Sequence, residues 1–494
     1  MDTQKLTGTL VGMTTDPAKH ARYNDYYKSN DLFWGIGIEN ETYLQFTEPK
    51  QLTAKAIYEN HKPERYSVNY FSGLNPEYKE LLKLLYPISD SAIALAELTN
   101  TPMELNQIYD FPIYMNSHTL QKTDKDGNHA TTYEKVPKPN PNFQGQTIHD
   151  LLVQHYPEVF HSKFKVNYTY DGDTVEFMTQ HFYKTTVNET IKELTTEKQA
   201  YLQHINSAFQ TLNILPHLGP LQYPQRNEPF VCFHTNLNNI GIFNNGTYHL
   251  NFTMPTLLDH NKNPANPVLF VQRHKAAIRY IQYLEPLIIA LYGTPDPFSN
   301  VSDKYSKASQ RCAVSRYIGI GTYNTDTMET GKILSVDTNS CKAAGKPYWW
   351  YTQYTKTSHY NPLTKIGVDI NFNKHGAHGI EIRFLDWFPE DKLQELMTTL
   401  VHVMDHSLRY GMPADPTVCP IWNGLVVKML QQGRDATLSE DEYDMYKGVF
   451  QLPGKTNWLC FRQTEPETKC LEQTYLDIAA SLKKNKGPCF KTMI

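Results

Sequence analysis

The segment Leu32 to Phe46, LFWGIGIENETYLQF, constrains this chain more than any other. Its alternation and its aromatic and β-branched content read as a β-strand. In a strand Glu39 and Glu41 point to one face while Ile38 and Asn40 point to the other. Adjacent carboxylates repel unless a cation neutralises them, and such hard oxygen donors suit Mg²⁺ or Mn²⁺. A solvated strand face explains the pair equally well. Gly35 and Gly37 lie on the same face as the two glutamates and, lacking side chains, are expected to leave room for a ligand.

Three later segments repeat the theme. In YDGDTVEFMT, the turn-like Asp171-Gly172-Asp173 leads into a strand carrying Glu176, although Asp-Gly-Asp is most often only a turn. In GTYHLNFTMPT, His249 and Asn251 share a face opposite Tyr248 and Leu250; a single histidine of this kind is more often a satisfied core residue than a ligand. In GIEIRFLDWFP, Glu381 and Arg383 share a face opposite Ile380, Ile382 and Phe384, and they equally well form a simple neutralising pair. Together the four strands supply carboxylates, an imidazole and a guanidinium. On one shared face these residues would make a divalent-metal and phosphate site.

Around these strands the chain reads as α+β. The long stretch after Phe46 contains two expected helices, Tyr78 to Leu85 and Asp90 to Leu98, then a hairpin from Ile113 to Val136 turning at Asp126-Gly127. An amphipathic helix is expected from Val187 to Leu212, with Ile191, Leu194, Leu202, Ile205 and Phe209 on one face. Strands flank Asn244-Asn245-Gly246, and a long helix from Pro267 to Tyr292 stops at Gly293 with Pro295 beyond. Tyr317 to Phe388 reads as several strands. Helices follow at Glu390 to Tyr410, Val418 to Gln432, after a capping box at Ser439 and Glu442, and at Thr468 to Lys484. The expected organisation is residues 1–46 as the start of a catalytic sheet, 47–164 as an inserted subdomain, 165–389 as the rest of the catalytic domain and 390–494 as a helical region packed on it.

Several function classes lack support. Over 494 residues the net charge is −4 with no long run of one sign, so no basic stripe marks a nucleic-acid partner. The longest apolar run, near Leu284 to Leu291, is broken by Glu285 and Pro286, and the first residues lack a signal-peptide pattern; the expectation is no membrane span and a cytoplasmic location. Seven cysteines without a CxxC pair argue for a reducing compartment rather than a zinc cluster or disulfide framework. Sequons at Asn40 and Asn251 fall inside the proposed catalytic strands, so the N-x-[ST] motifs read as a by-product of an Asn- and Thr-rich composition. There is no GxxxxGK[ST], GxGxxG, HExxH or GxSxG motif, so a nucleotide would have to be held by metals and arginines.

Six segments in order resemble the glutamate-cysteine ligases of the glutamine synthetase superfamily: WGIGIENET, VEFMT, GTYHLNFT, the helix VQRHKAAIRYIQYLEPLIIALYGTPDPF, SRYIGIGTYN and GIEIRFLDWFP. They span roughly Phe33 to Pro389, with the insertion and the carboxyl-terminal helices unmatched. The resemblance implies a glutamine synthetase/guanido kinase-like antiparallel sheet with helices on one face. It also implies an ATP- and Mg²⁺- (or Mn²⁺-) dependent ligase that joins glutamate, through an acyl phosphate, to an amino acid such as cysteine. The metal ligands it implies are Glu39, Glu41, Glu176, His249, Glu381 and Asp173, with Asp171 an open alternative to Asp173. Arg383 would contact phosphate, and Arg273 and Arg316 the carboxylate substrate or the intermediate. The alternatives are an amidoligase acting on a peptide or protein side chain and a catalytically idle binding module.

Overall fold

The computed structural model describes residues 32–48, 112–160, 168–295, 299, 306–309, 370–374, 379–452 and 468–494, apart from 133–137, 173, 229, 243–245, 260–263, 296–298 and 485. The helices expected at Tyr78 to Leu85 and Asp90 to Leu98, and most of Tyr317 to Phe388, lie outside the described residues.

A six-stranded sheet carries the four polar segments. Its strands are β1 (Leu32–Thr42), β2 (Tyr168–Asp171), β3 (Thr174–Met178), β4 (Gly246–Leu257), β5 (Ile370–Lys374) and β6 (Gly379–Asp386). The order is β5-β6-β4-β1-β3-β2, and every neighbouring pair is antiparallel. Alternation divides its faces. Ile36, Ile38, Val175, Phe177, Leu250, Phe252, Ile380 and Ile382 are buried in one core cluster, where each contributes about 1.5–3 kcal/mol relative to exposure. Mixed α/β architecture with an antiparallel sheet is therefore present, as the alternation and the later helices imply.

The run read as one strand from Leu32 to Phe46 is divided between two sheets. Beyond Thr42 the chain re-enters strand at Leu44–Phe46, which pairs with Ile113–Met115 and Leu221–Gln222 in a second sheet completed by Phe230–Phe233 and Asn236–Ile242. Ile113, Leu120, Ile148, Leu152 and Phe160, from the described part of the 47–164 stretch, join the same core cluster as the main sheet. The hairpin expected from Ile113 to Val136 does not form. Asn116 and Thr119 make a capping box that starts a short helix, Ser117–Lys122, so local side-chain hydrogen bonding overrides strand pairing. The turn survives, with Asp124 accepting from the backbone N–H groups of Asp126 and Asn128.

Helix α1 (Val187–Thr211) touches β1 and β3, and α2 (Pro267–Tyr292) touches β6. Leu194, Ile205 and Phe209 of α1 are buried, with Ile191 and Leu202 packed against the core. Sequence periodicity does not identify Lys198 on that same face. Its buried ammonium pairs with Glu390 and lies 4.8 Å from the centre of the Tyr223 ring, and burial lowers its pKa against the pull of Glu390. At the carboxyl end of α2 a Cβ on Gly293 would fall 2.4 Å from the Ile289 carbonyl oxygen, so close backbone approach requires glycine there. Helices α3 (Leu393–Tyr410), α4 (Pro420–Gln432), α5 (Glu440–Phe450), α6 (Thr468–Lys483) and the short α7 (Pro488–Met493) follow. The expected Ser439–Glu442 capping box starts α5. No described helix is long and apolar enough to cross a membrane.

Gly246 opens β4 with φ +121°, and a Cβ there would lie 1.7 Å from the Glu41 carbonyl oxygen. Gly246→Ala is therefore expected to lower stability by about 2–3 kcal/mol, combining a disfavoured backbone angle with displacement of β1. Urea unfolding midpoints would measure it; an unchanged midpoint would mean that β1 and β4 do not meet in this register.

Candidate metal centre

Register, more than any one strand, builds the polar face. Glu39 pairs with His249 across β1 and β4, and Glu41 with Thr247. On the other side of β1, Glu41 pairs with Glu176 of β3. Asn251 stands between Gly37 and Glu381. Between the pairs Tyr248–Leu385 and Leu250–Ile382, β6 has one residue more than β4, so Arg383 and Phe384 together oppose His249. A bulge of this kind bends a strand and re-aims its side chains.

His249 lies at the centre. Its Nδ1 is 3.1 Å from Glu39 Oε2 and 3.8 Å from Glu381 Oε1, and its Nε2 is 3.9 Å from Glu41 Oε1. One ligand atom each from Glu39, His249 and Glu381 lie within 4.8 Å of one another. Arg383 Nη1 donates to Glu381 Oε1 at 3.0 Å. Thr247 Oγ1 donates to Glu41 Oε2 at 3.1 Å and sits 3.5 Å from His249 Nε2.

Burial gives this geometry its electrostatic weight. Glu381 is 0% exposed, His249 2%, Glu39 7% and Glu176 9%. Four carboxylates, counting Glu41, thus crowd around one guanidinium and one imidazole, an excess of negative charge that burial makes costly. A divalent cation would answer that excess. Six-coordinate Mg²⁺ places its ligand atoms about 2.9–4.2 Å apart, so closing the widest gap, at most 4.8 Å, by roughly 0.6 Å would bring Glu39, His249 and Glu381 onto one ion. Oxygen donors suit Mg²⁺ and Mn²⁺, and the imidazole nitrogen favours the latter.

No family model matches the chain. Over 424 residues it is 40% identical to uncharacterized protein R704 of Acanthamoeba polyphaga mimivirus, a match covering 85% of this chain and 71% of that protein. The chain belongs to the family of that viral protein.

In this member of the R704 family the expected site residues separate into three groups. Glu39, Glu41, Glu176, His249, Glu381 and Arg383 share one face of the sheet, and five of them are linked by the contacts above. Asp173 and Arg316 lie outside the described residues. Asp171 is exposed at the turn between β2 and β3. Arg273 does not join the cluster. It is exposed on α2 beside Leu32, which is seven residues from Glu39 along β1, a separation of about 23 Å at 3.3 Å per residue. The arginine expected to hold substrate faces a cleft away from the cluster because it stands near the amino-terminal end of α2, beside the Leu32 end of β1.

Gly35 and Gly37 also act differently from expectation. Cβ atoms on them would fall 2.1 Å and 2.6 Å from the Phe182 ring, and Phe182 O accepts from Ile36 N at 2.8 Å. The side-chain-free strip is filled by an aromatic ring that covers the strand next to Glu39. The expected sequons at Asn40 and Asn251 are buried, and Asn40 Nδ2 donates to the Thr247 carbonyl at 3.0 Å, leaving no space for a glycan on either side chain. Two residues of the site escape sequence reasoning. Thr247 has a signal, since it alternates in phase with His249 and Asn251; Phe182 follows β3 in a loop and has none.

Proposed function

We propose that this chain is an ATP-dependent carboxylate-amine ligase that forms an amide through an acyl phosphate, with the acidic face of the six-stranded sheet as its active site. The observation that carries this reading is the convergence of Glu39, His249 and Glu381 within 4.8 Å, with Arg383 on Glu381 at 3.0 Å. In this reading the sheet is of the glutamine synthetase type, as the six-segment resemblance implies, and glutamate is the carboxylate donor.

Glu39, His249 and Glu381 would hold a divalent cation, with Glu41 and Glu176 beside them. When bound, the cation supplies positive charge for phosphoryl oxygens. Arg383 presents a planar fork of N–H donors suited to phosphate, and its hold on Glu381 keeps that fork at the edge of the cluster. Thr247 fixes one oxygen of Glu41, which limits the freedom of that carboxylate. The substrate carboxylate would attack the γ-phosphate with loss of ADP, and the amine would then displace phosphate from the acyl phosphate to give the amide. Phe182 shields one flank of the cluster from water, which protects a hydrolysable acyl phosphate. Arg316 and Asp173 keep their proposed roles as substrate and metal contacts, whereas Arg273 has none in this site.

The test is phosphate release by the purified chain with MgATP or MnATP, glutamate and a panel of amines including cysteine. Amine-dependent release with a matching amide product supports the reading. ATP turnover only with a peptide or protein acceptor would transfer it to an amidoligase, and no binding of Mg²⁺, Mn²⁺ or ATP would make the chain an idle module.

A further inference from the structure

A cleft of about 560 Å³ opens at the end of the sheet away from the acidic cluster. It lies among Arg273 of α2, Asp405 and Arg409 of α3, and Lys484 and Lys486 just before α7, with Leu32 and Pro255 as its apolar wall. We propose that this cleft binds a small, multiply phosphorylated anion. The inference does not depend on the ligase reading.

Four cations and one carboxylate line the cleft in a chain whose overall formal charge is −4, so the concentration of positive charge is local. The carboxylate is already committed. Asp405 is buried, and its oxygens accept from the backbone N–H groups of Gly487 at 3.1 Å, Cys489 at 2.8 Å and Phe490 at 2.8 Å. A Cβ at Gly487 would lie 2.5 Å from Asp405 Oδ1, so glycine lets the backbone wrap around that carboxylate. Asp405 thus acts as a clamp that sets the position of the lysine-bearing segment and spends its hydrogen-bonding capacity on the chain itself.

Two of the cations are also positioned. Lys486 Nζ lies 4.8 Å from the centre of the Phe490 ring, whose other neighbour is the stacked ring of His402, and the Arg409 guanidinium lies 5.4 Å from that of Tyr410. Among the described residues, no carboxylate forms an ion pair with Arg273, Lys484 or Lys486. The site therefore concentrates positive charge in a concave space, which matches a compact ligand with several phosphate groups better than a single carboxylate. A long polyanion fits less well, because the charge is confined to the cleft and the chain as a whole is acidic.

The test uses the full chain in EDTA, which prevents metal-bridged binding at the acidic sheet, with inorganic tripolyphosphate as the calorimetric probe. Saturable binding of one tripolyphosphate per chain is expected. It should weaken at least about tenfold in the Lys484→Glu/Lys486→Glu double variant and weaken again on raising salt, as charge-dominated contacts do. Arg273→Gln should weaken it as well, while Glu39→Gln should leave it intact. Parallel titrations with ATP and with an inositol polyphosphate would identify the source of the phosphates. Absence of saturable binding, equal binding by the double variant, loss in Glu39→Gln, or binding to anionic phospholipid vesicles without binding to tripolyphosphate would each overturn the proposal.

Discussion

Glu381→Ala is expected to lower metal-ATP-dependent phosphate release by at least about a hundredfold, the scale associated with removing one well-placed electrostatic group from a buried reacting site. Glu381 is the most enclosed member of the cluster, holds Arg383 at 3.0 Å and lies 3.8 Å from His249. Its loss removes a metal donor and releases the guanidinium that the proposed mechanism aims at phosphate. Alanine also removes the carboxylate to which Arg383 donates, so the loss combines removal of charge with local rearrangement. Glu381→Gln separates the effects: it keeps the volume and an acceptor for Arg383 but removes the charge, so it should fold like the parent chain and still lose at least about a hundredfold. Full activity in the glutamine variant would remove this face from the chemistry and with it the ligase reading.

Mn²⁺ or Mg²⁺ at about a hundred times its dissociation constant is expected to stabilise the folded chain by about 2.7 kcal/mol, since the cluster exists only when β1, β4 and β6 are paired. The sign follows from the charges. Without a cation, burial of Glu39 and Glu381 beside Glu41 and Glu176 opposes folding, and a bound cation converts that repulsion into attraction. Thermal unfolding followed with increasing metal should show a rising midpoint that EDTA reverses. In a Glu39→Gln/Glu381→Gln double variant the metal response should vanish. A midpoint indifferent to both metals in the parent chain would mean that the carboxylates are neutralised by other means, and the cluster would lose its assignment as a metal centre.

The residues that were legible before the fold was known share one property: their signal is local. Alternation in GIGIENET, GTYHLNFT and GIEIRF places polar and apolar residues on opposite faces whatever the partners, so Glu39, Glu41, His249, Glu381 and Arg383 could be named from spacing. Helices with strong punctuation behaved likewise, as Gly293 at the end of α2 and Ser439 at the start of α5 demonstrate. Where two local preferences competed, as at Asn116, the capping box prevailed over the hairpin. The apparent single strand through Phe46 divided because pairing, which a one-dimensional pattern does not contain, differs before and after Tyr43.

Tertiary structure decided the rest, for reasons of distance and register. Arg273 looks as suitable for substrate as Arg383 in a sequence, yet α2 carries it to a cleft at the opposite end of β1, where its neighbours are Arg409, Lys484 and Lys486. Gly35 and Gly37 look like space, yet Phe182 occupies it. The amino-acid order by itself determined which side chains point away from the core of each strand. Only strand pairing, set by the bulge opposite His249 and the close contact at Gly246, determined that Glu39, His249 and Glu381 would meet, because side chains two residues apart share a face but residues two hundred apart converge only through register.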